Sequence, residues 1–538
     1  MSHLPRAHPI WGRPIDEYTA SYDLAAVQNR KAVTRKMEAE GAQAIQRISR
    51  MAKQVNYTTL HAEEVKMQTL ESFLQLTLSP RTFHHFAHAP LVSGCVRFMS
   101  SVKPEGHRSS PFSYEFGYLC FKILTIAIGA CILQWTNELD NTTSRMFSEA
   151  NTGLLLVFSD SVARAVNAKI QMATLGGQCD WVLDWVEEMG SRQGALVLQS
   201  DVNTILSLLW DDQELLIKAF AATYTPGPSG VLFLFWRHLH FARSARDGVF
   251  ESQPPSKLAV PFCEILWRYM LVFTRDQGDT LILLHRHLKM TNAADVWDSS
   301  PKTVVLNDLK SLIQVYCDLL AMSDIEPYPA LNIGILPILL NFLCHLAGAR
   351  PSAEGSYPLL VERTLERVCD TLTQETERND FETRFRHAQT MFSFLAVLLE
   401  HVKNAQTYTR DQAGQRAVLS ILKALKQLGI LDLIGKMSLM FEPASDGMVD
   451  STHLTAFMMQ VVLGLIRNIS IIAPSHIMDS AFGYYVPDWI KFNEHLAYRI
   501  QHHTTSYPPP VHVALSYRMW NEIAETLGIY NQRSEAEP

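Results

Sequence analysis

The stretch from Gly429 to Ile469 constrains the fold most, because its apolar residues recur at the three- and four-residue spacing of an α-helix. Pro443 and Gly447 interrupt the spacing and predict a loop between two helical segments. The second segment places its apolar residues on one helical face: Met458, Val461, Val462, Leu465, Ile466 and Ile469. The stretch therefore predicts two helices that pack against each other.

The same pattern recurs along the chain, with similar units beginning near residues 91, 202 and 334. The units do not follow a strict period, and no convincing strand pair or strand–helix alternation separates them. About 20 helical segments can be assigned in this way. The sequence thus predicts an all-α protein, in which the helices bury their apolar faces by stacking and leave a long concave surface.

Two short motifs resemble the armadillo repeat: Gly-Ile-x-x-Leu-Ile, which starts at Gly429, and Gly-Leu-Ile-Arg-Asn-Ile, which ends at Ile469. The resemblance implies an armadillo-like right-handed superhelix, an α-solenoid of about 20 helices. In well-known members an Asn of the third helix clamps an extended peptide, and the matching residue here is Asn468, beside Arg467. Such members often carry Trp where this chain has Gly464. The resemblance implies a peptide-binding site at Arg467 and Asn468.

The pattern also predicts how the chain is divided. Residues 1–22 are rich in proline and aromatic residues and are expected to form an extended N-terminal arm on the first helices. Capping helices are expected at 23–80 and again at 484–530, with armadillo-like repeats at 81–483 between them. Residues 531–538 are expected to form a polar tail.

A second resemblance lies near the C-terminus. Pro487-Asp488-Trp489 and Trp520-Asn521-Glu522 are similar to the end of helical-repeat proteins of mushroom-type fungi, some of which continue into a MYND zinc finger. The paired cysteines of that finger are not in this sequence, so the resemblance implies no zinc site.

Charge and cysteine usage narrow the function classes. The net charge of -7 and the lack of a clustered basic stretch argue against a nucleic-acid partner. The 8 cysteines never form a CxxC pair and lie mostly in apolar helical patterns, as buried thiols do in a reducing compartment. No signal peptide precedes the first helices, so we expect a cytoplasmic or nuclear protein.

Catalytic and cofactor motifs are not found, and no catalytic residue, metal site or cofactor is predicted from the sequence. His84 and His88 are spaced like two residues one helical turn apart, but a metal site normally needs a third ligand. Two H-x-H pairs leave one alternative open: an all-α enzyme whose buried pocket is lined by aromatic and histidine side chains, among them His238, His240, His285 and His287.

A third hypothesis concerns Phe116 to Trp135, which is about as long as a membrane-spanning helix and carries a single charge, Lys122. A helix buried on all sides in a soluble protein has the same composition, and a central lysine would be costly in lipid. We therefore expect a buried core helix and no membrane association.

The leading functional hypothesis is a non-enzymatic helical scaffold that binds a protein or peptide partner in its concave groove. The sequence leaves the identity of the partner and the oligomeric state open.

Overall fold

The computed structural model confirms the all-α prediction for the residues it describes. These are 7–28, 30–53, 65–104, 108–149, 152–174, 196–244, 256–302, 304–321, 335–349, 356–373, 378–404, 412–439, 451–473, 475–502 and 511–529. They form 23 α-helices, joined in places by short 3-10 turns. The extended pairing in this part of the chain is limited to two isolated bridges, His8 with Gly12 and Pro14 with Tyr114. The loop predicted around Pro443 and the tail at 531–538 lie outside the described residues.

The described residues divide into two compact units, one up to Pro301 and the other from Lys302 onward. The first unit contains thirteen helices: α1 Ile15–Ala20, α2 Arg35–Arg50, α3 Met67–Gln75, α4 Ala89–Ser101, α5 Glu115–Trp135, α6 Leu139–Ser148, α7 Leu154–Thr174, α8 Gln199–Asp211, α9 Gln213–Ala222, α10 Pro228–Ser244, α11 Ser256–Met270, α12 Gly278–Met290 and α13 Ala293–Ser299.

Helix α5 lies at the centre of the first unit. Every residue from Glu115 to Leu133 is buried, and α3, α4, α6, α7 and α10 all pack against this helix. Among the described helices α5 is the one long and apolar enough to cross a membrane, and its most apolar window lies entirely inside the protein. Its uniform hydrophobicity is explained by neighbours on every side.

The N-terminus of α5 is capped by a segment that lies more than 100 residues earlier in the chain. The backbone N–H groups of a first helical turn have no partner within their own helix. Here the N–H of Glu115 donates to the carbonyl of Arg13 at 2.9 Å, and that of Phe116 donates to the carbonyl of Trp11 at 3.2 Å. The segment that precedes α2 therefore completes the central helix.

The same segment meets the two charged side chains of α5. The carboxylate of Glu115 accepts from the backbone N–H of Arg13 at 2.9 Å and pairs with its guanidinium at 2.7 Å. Two helical turns further along α5, the Lys122 ammonium donates to the Tyr22 hydroxyl at 3.3 Å. Buried charges are costly unless they are paired, so these contacts explain how α5 tolerates both residues.

The second unit contains ten helices: α14 Leu306–Ala321, α15 Leu336–Ala349, α16 Tyr357–Thr373, α17 Arg378–Asn404, α18 Gln412–Gln427, α19 Ile430–Leu439, α20 Ser451–Ile472, α21 Ser475–Phe482, α22 Val486–His502 and α23 Val511–Thr526. They pack in two series. In one series α14 contacts α16, which contacts α18; in the other α15 contacts α17, α17 contacts α20, and α20 contacts α23.

The two series are joined by helix pairs that are consecutive in the chain. Helix α14 packs on α15, and α16 packs on α17. A further consecutive pair, α22 and α23, packs together at the end of the unit, although α22 belongs to neither series. In the last pair the indole N–H of Trp489 donates to the carbonyl of Trp520, and that of Trp520 donates to the carbonyl of Trp489, each at 3.4 Å. These two buried tryptophans, on which the C-terminal resemblance rests, thus fasten α22 to α23.

The N-terminal arm differs from the sequence prediction in two respects. The predicted extended segment 1–22 contains the short helix α1, and its contacts reach α5 and α9. The aromatic and proline residues of the segment gave too little periodicity to indicate a helix of 6 residues. The remaining predicted boundaries between capping helices and repeats stay predictions.

Substituting Gly117 by Ala is expected to lower the free energy of unfolding of the first unit by about 2 kcal/mol or more. A Cβ at this position of α5 would collide with the carbonyl oxygen of Pro111, which is backbone and cannot swing aside. Chemical denaturation of the full-length chain measures the effect. A variant as stable as the wild type would contradict this placement of Pro111 on α5.

Candidate protein-binding face

Helix α20 presents the two residues that the armadillo resemblance singles out. Its apolar residues, among them Val462, Leu465 and Ile466, are buried. The opposite side is open: Gln460 and Arg467 are exposed, and Ile471 retains 53% of its surface. The helical spacing that was predicted from the sequence therefore separates a buried and an exposed face as expected.

Asn468 connects α20 to its neighbour α17. Its side-chain amide Nδ2 donates to the backbone carbonyl of Ala396 at 2.8 Å. A side-chain hydrogen bond of this kind contributes about 1 kcal/mol to stability. In this structure the donor atom that would clamp a peptide backbone thus holds two helices together.

Arg467 connects α20 to its other neighbour, α23. Its guanidinium pairs with the carboxylate of Glu522, and the two side chains keep 58% and 27% of their surface. Ion pairs this exposed contribute less than about 1 kcal/mol, because water screens and competes for both partners. Arg467 can therefore exchange Glu522 for another carboxylate at small cost.

Gly464 leaves an open notch on the same side of α20. A Cβ built on this residue meets no atom within 4 Å. The backbone of α20 is therefore accessible from outside between Gln460 and Arg467.

The two helices that pack against α20 also carry exposed residues. Val397 of α17 is 36% exposed, and Arg518 of α23 is exposed next to the turn that carries Glu522. On α15 the thiol of Cys344 donates to the carbonyl of Phe394 at 3.4 Å and ties that helix to α17. We call the exposed side of α17, α20 and α23, with Val397, Gly464, Arg467, Ile471 and Arg518, the candidate face.

The partners of Arg467 and Asn468 could not be found from the sequence. Glu522 lies 55 residues from Arg467, and Ala396 lies 72 residues from Asn468. A backbone carbonyl carries no residue-type signal, and a single Glu on an amphipathic helix is common.

The four histidines of the enzyme hypothesis lie on two helices, His238 and His240 on α10 and His285 and His287 on α12. His240 and His287 both contact the ring of Trp236, at centroid distances of 5.0 and 5.4 Å. His287 also hydrogen bonds to Thr174 at 2.8 Å.

The other two histidine rings have different surroundings. His238 bonds to the Asn203 side chain at 2.8 Å, and His285 accepts from the indole N–H of Trp267 at 3.2 Å. Among these contacts, only His240 and His287 share a partner, the ring of Trp236. Burial lowers the pKa of His238 and His287, and burial followed by the charge of Lys289 lowers the pKa of His285 to about 4.

The predicted helical spacing of His84 and His88 is wrong. His84 lies in a 3-10 helix, Pro80–Phe86, and His88 is the residue before α4, so the two do not share one α-helical face. Each segment has a proline at its start, so the 3-10 helix and α4 are separate elements. Within the described ranges no three His, Cys, Asp or Glu side chains come together in a way that could hold a metal ion.

Comparison of the chain with models of known protein families gives no match. Comparison with curated proteins gives no match either. The armadillo resemblance and the weaker fungal one therefore stay predictions from the sequence.

Substituting Gly464 by Ala is expected to raise the free energy of unfolding by about 0.5–1 kcal/mol, because glycine costs that much in a helix interior. The added methyl group meets no neighbour that could offset the gain. Denaturation of the full-length variant measures the change. A loss of stability would show that the notch is filled by another part of the chain.

Replacing His285 by Asn is expected to weaken the loss of stability on acidification. Neutral His285 fits its buried site, whereas the unfolded chain binds a proton below its ordinary pKa of about 6.5. Stability from this group is therefore complete above pH 6.5 and is lost as the pH falls toward 4. An Asn keeps an acceptor for Trp267 but does not titrate.

The measurement is the free energy of unfolding of the wild type and the variant between pH 7 and 5. Equal slopes for the wild type and His285→Asn would contradict the buried, neutral state of His285.

Proposed function

We propose that this protein is a non-enzymatic helical-repeat scaffold that binds a protein or peptide partner. In this proposal the helices of the second unit belong to an armadillo-like right-handed superhelix, and the candidate face is its ligand-binding side. Nucleic acid and membrane are not among the proposed partners.

The observation that carries the proposal is the order in which helices of the second unit pack. Alternate helices contact each other in two series, α14–α16–α18 and α15–α17–α20–α23. Stacked helix pairs of a solenoid have this order, because each pair contacts mainly its neighbours. The order supports a repeat architecture over an irregular bundle.

The composition of the candidate face supports a protein ligand. It combines the exposed apolar side chains of Val397 and Ile471 with the accessible backbone at Gly464 and the cations Arg467 and Arg518. Protein interfaces combine apolar and aromatic contacts with arginine in the same way. The weak hold of Glu522 on Arg467 leaves that guanidinium available to an acidic group of a partner.

The proposed location is the cytoplasm or the nucleus. The thiols of Cys95, Cys120 and Cys131 are buried and form no disulfide, and burial raises the pKa of each. Such thiols are unreactive and typical of proteins in reducing compartments.

The test compares two exposed apolar residues on different helix series. Ile471→Glu places a charge on the candidate face, and Leu419→Glu places the same charge on α18, where Leu419 is 45% exposed. The tagged full-length proteins are used for affinity capture from a lysate of the source cells, and recovered proteins are quantified by mass spectrometry. A partner that binds the candidate face should be retained by Leu419→Glu and reduced about tenfold or more by Ile471→Glu.

Matched stability of the two variants is checked by denaturation before capture. A partner lost equally with both variants, or retained by both, would contradict binding at the candidate face.

A further inference from the structure

The N-terminal segment 7–28, called the arm from here on, contacts α5, α7 and α9, and its contacts with α5 are mainly polar and aromatic. Arg13 pairs with Glu115, and Tyr22 receives a hydrogen bond from Lys122. The Tyr22 hydroxyl donates in turn to the carbonyl of Tyr224 at 3.4 Å, and the ring of Tyr18 lies 5.6 Å from that of Tyr118.

The arm buries few apolar side chains of its own. Within 7–28 the buried apolar residues are Pro14, Ile15 and Val27, of which Ile15 and Val27 are 3% and 8% exposed. Segments with few buried apolar contacts open locally at a small fraction of the global unfolding free energy. The arm therefore belongs to the part of the first unit that opens most easily.

The surface beneath the arm is built differently. Glu115, Tyr118 and Lys122 lie along one side of α5 and are 6%, 0% and 7% exposed. We call these three residues the α5 strip. Glu115 and Lys122 are the two charged residues between Glu115 and Leu133, so both charges of this buried stretch lie where the arm docks.

The ion pair beneath the docked segment is weak evidence for a permanent contact. A buried ion pair offsets its own desolvation cost only in part, and apolar residues of similar size often hold a permanent contact as well or better. The outer member of this pair, Arg13, keeps 45% of its side-chain surface, so water competes for it directly. These features are typical of a contact that forms and breaks.

We propose that the arm is a reversibly docked strap and that the α5 strip is a peptide-docking site, which the arm occupies in the structure. The strip recognises a segment that carries an arginine for Glu115 and aromatic rings with a hydroxyl for Tyr118 and Lys122. Backbone carbonyls of the docked segment complete the site by accepting from the N–H groups of Glu115 and Phe116. A partner segment of this chemistry would displace the arm.

The first experiment measures hydrogen–deuterium exchange of the full-length protein by mass spectrometry. Arg13→Ala removes a charge-assisted pair and is expected to speed exchange in peptic fragments covering residues 114–118 by about tenfold. Exchange in α10 and α12 should stay unchanged. Arg35→Ala, at an exposed arginine of α2, is the control and should alter neither region.

The second experiment tests the docking site in trans. Arg13→Glu places a carboxylate against Glu115 and should hold the arm open in the full-length chain. A synthetic peptide of residues 7–28 is then added at about millimolar concentration, the range that a tethered segment reaches in cis. The peptide should restore protection of residues 114–118, and the same peptide with Arg13→Ala should not.

Three results would overturn the proposal. Unchanged exchange in Arg13→Ala would mean that Arg13 does not hold the arm. Faster exchange throughout the first unit would make the arm an integral part of the core. Failure of the wild-type peptide to protect the Arg13→Glu chain would remove the docking site.

Discussion

Burial of helix α5 is the constraint on which the first unit depends. A helix buried from Glu115 to Leu133 has little access to water, so its unpaired first-turn N–H groups and its charged side chains need partners from the protein. The carbonyls of Trp11 and Arg13 accept from the N–H groups, and the side chains of Arg13 and Tyr22 contact the two charged side chains. The hydrophobic effect favours burial of the helix, and hydrogen bonding determines which segment must cover its end.

In the second unit alternate helices pack in two series, and two polar residues of α20 link this helix to its neighbours. Asn468 and Arg467 each contact a neighbouring helix, one through the carbonyl of Ala396 and the other through Glu522. The two ties differ in exposure. The hydrogen bond from the Asn468 side-chain amide is partly buried, whereas the ion pair of Arg467 is open to water. Only the Arg467 ion pair can therefore be exchanged for a ligand contact at little cost.

The histidines show why residue type and spacing alone do not define a site. Two H-x-H pairs on α10 and α12 suggested a shared pocket, and the structure does bring His240 and His287 to one tryptophan ring. His238 and His285 instead contact Asn203 and Trp267. On a helix, residues two apart point in different directions, so each pair is divided by the geometry of its own helix.

The sequence by itself determined the all-α class, because apolar residues at helical spacing have to be buried on one face whatever the topology. It also bears on local features: Gly429 follows α18 with a left-handed φ of 61°, a conformation that glycine adopts more readily than other residues. Only the tertiary structure decided which segments meet. Arg13 pairs with Glu115, which is 102 residues away in the sequence, and Asn468 hydrogen bonds to Ala396, which is 72 residues away. Such contacts depend on how helices stack, and the spacing of residues within one helix carries no information about the helix that will lie beside it.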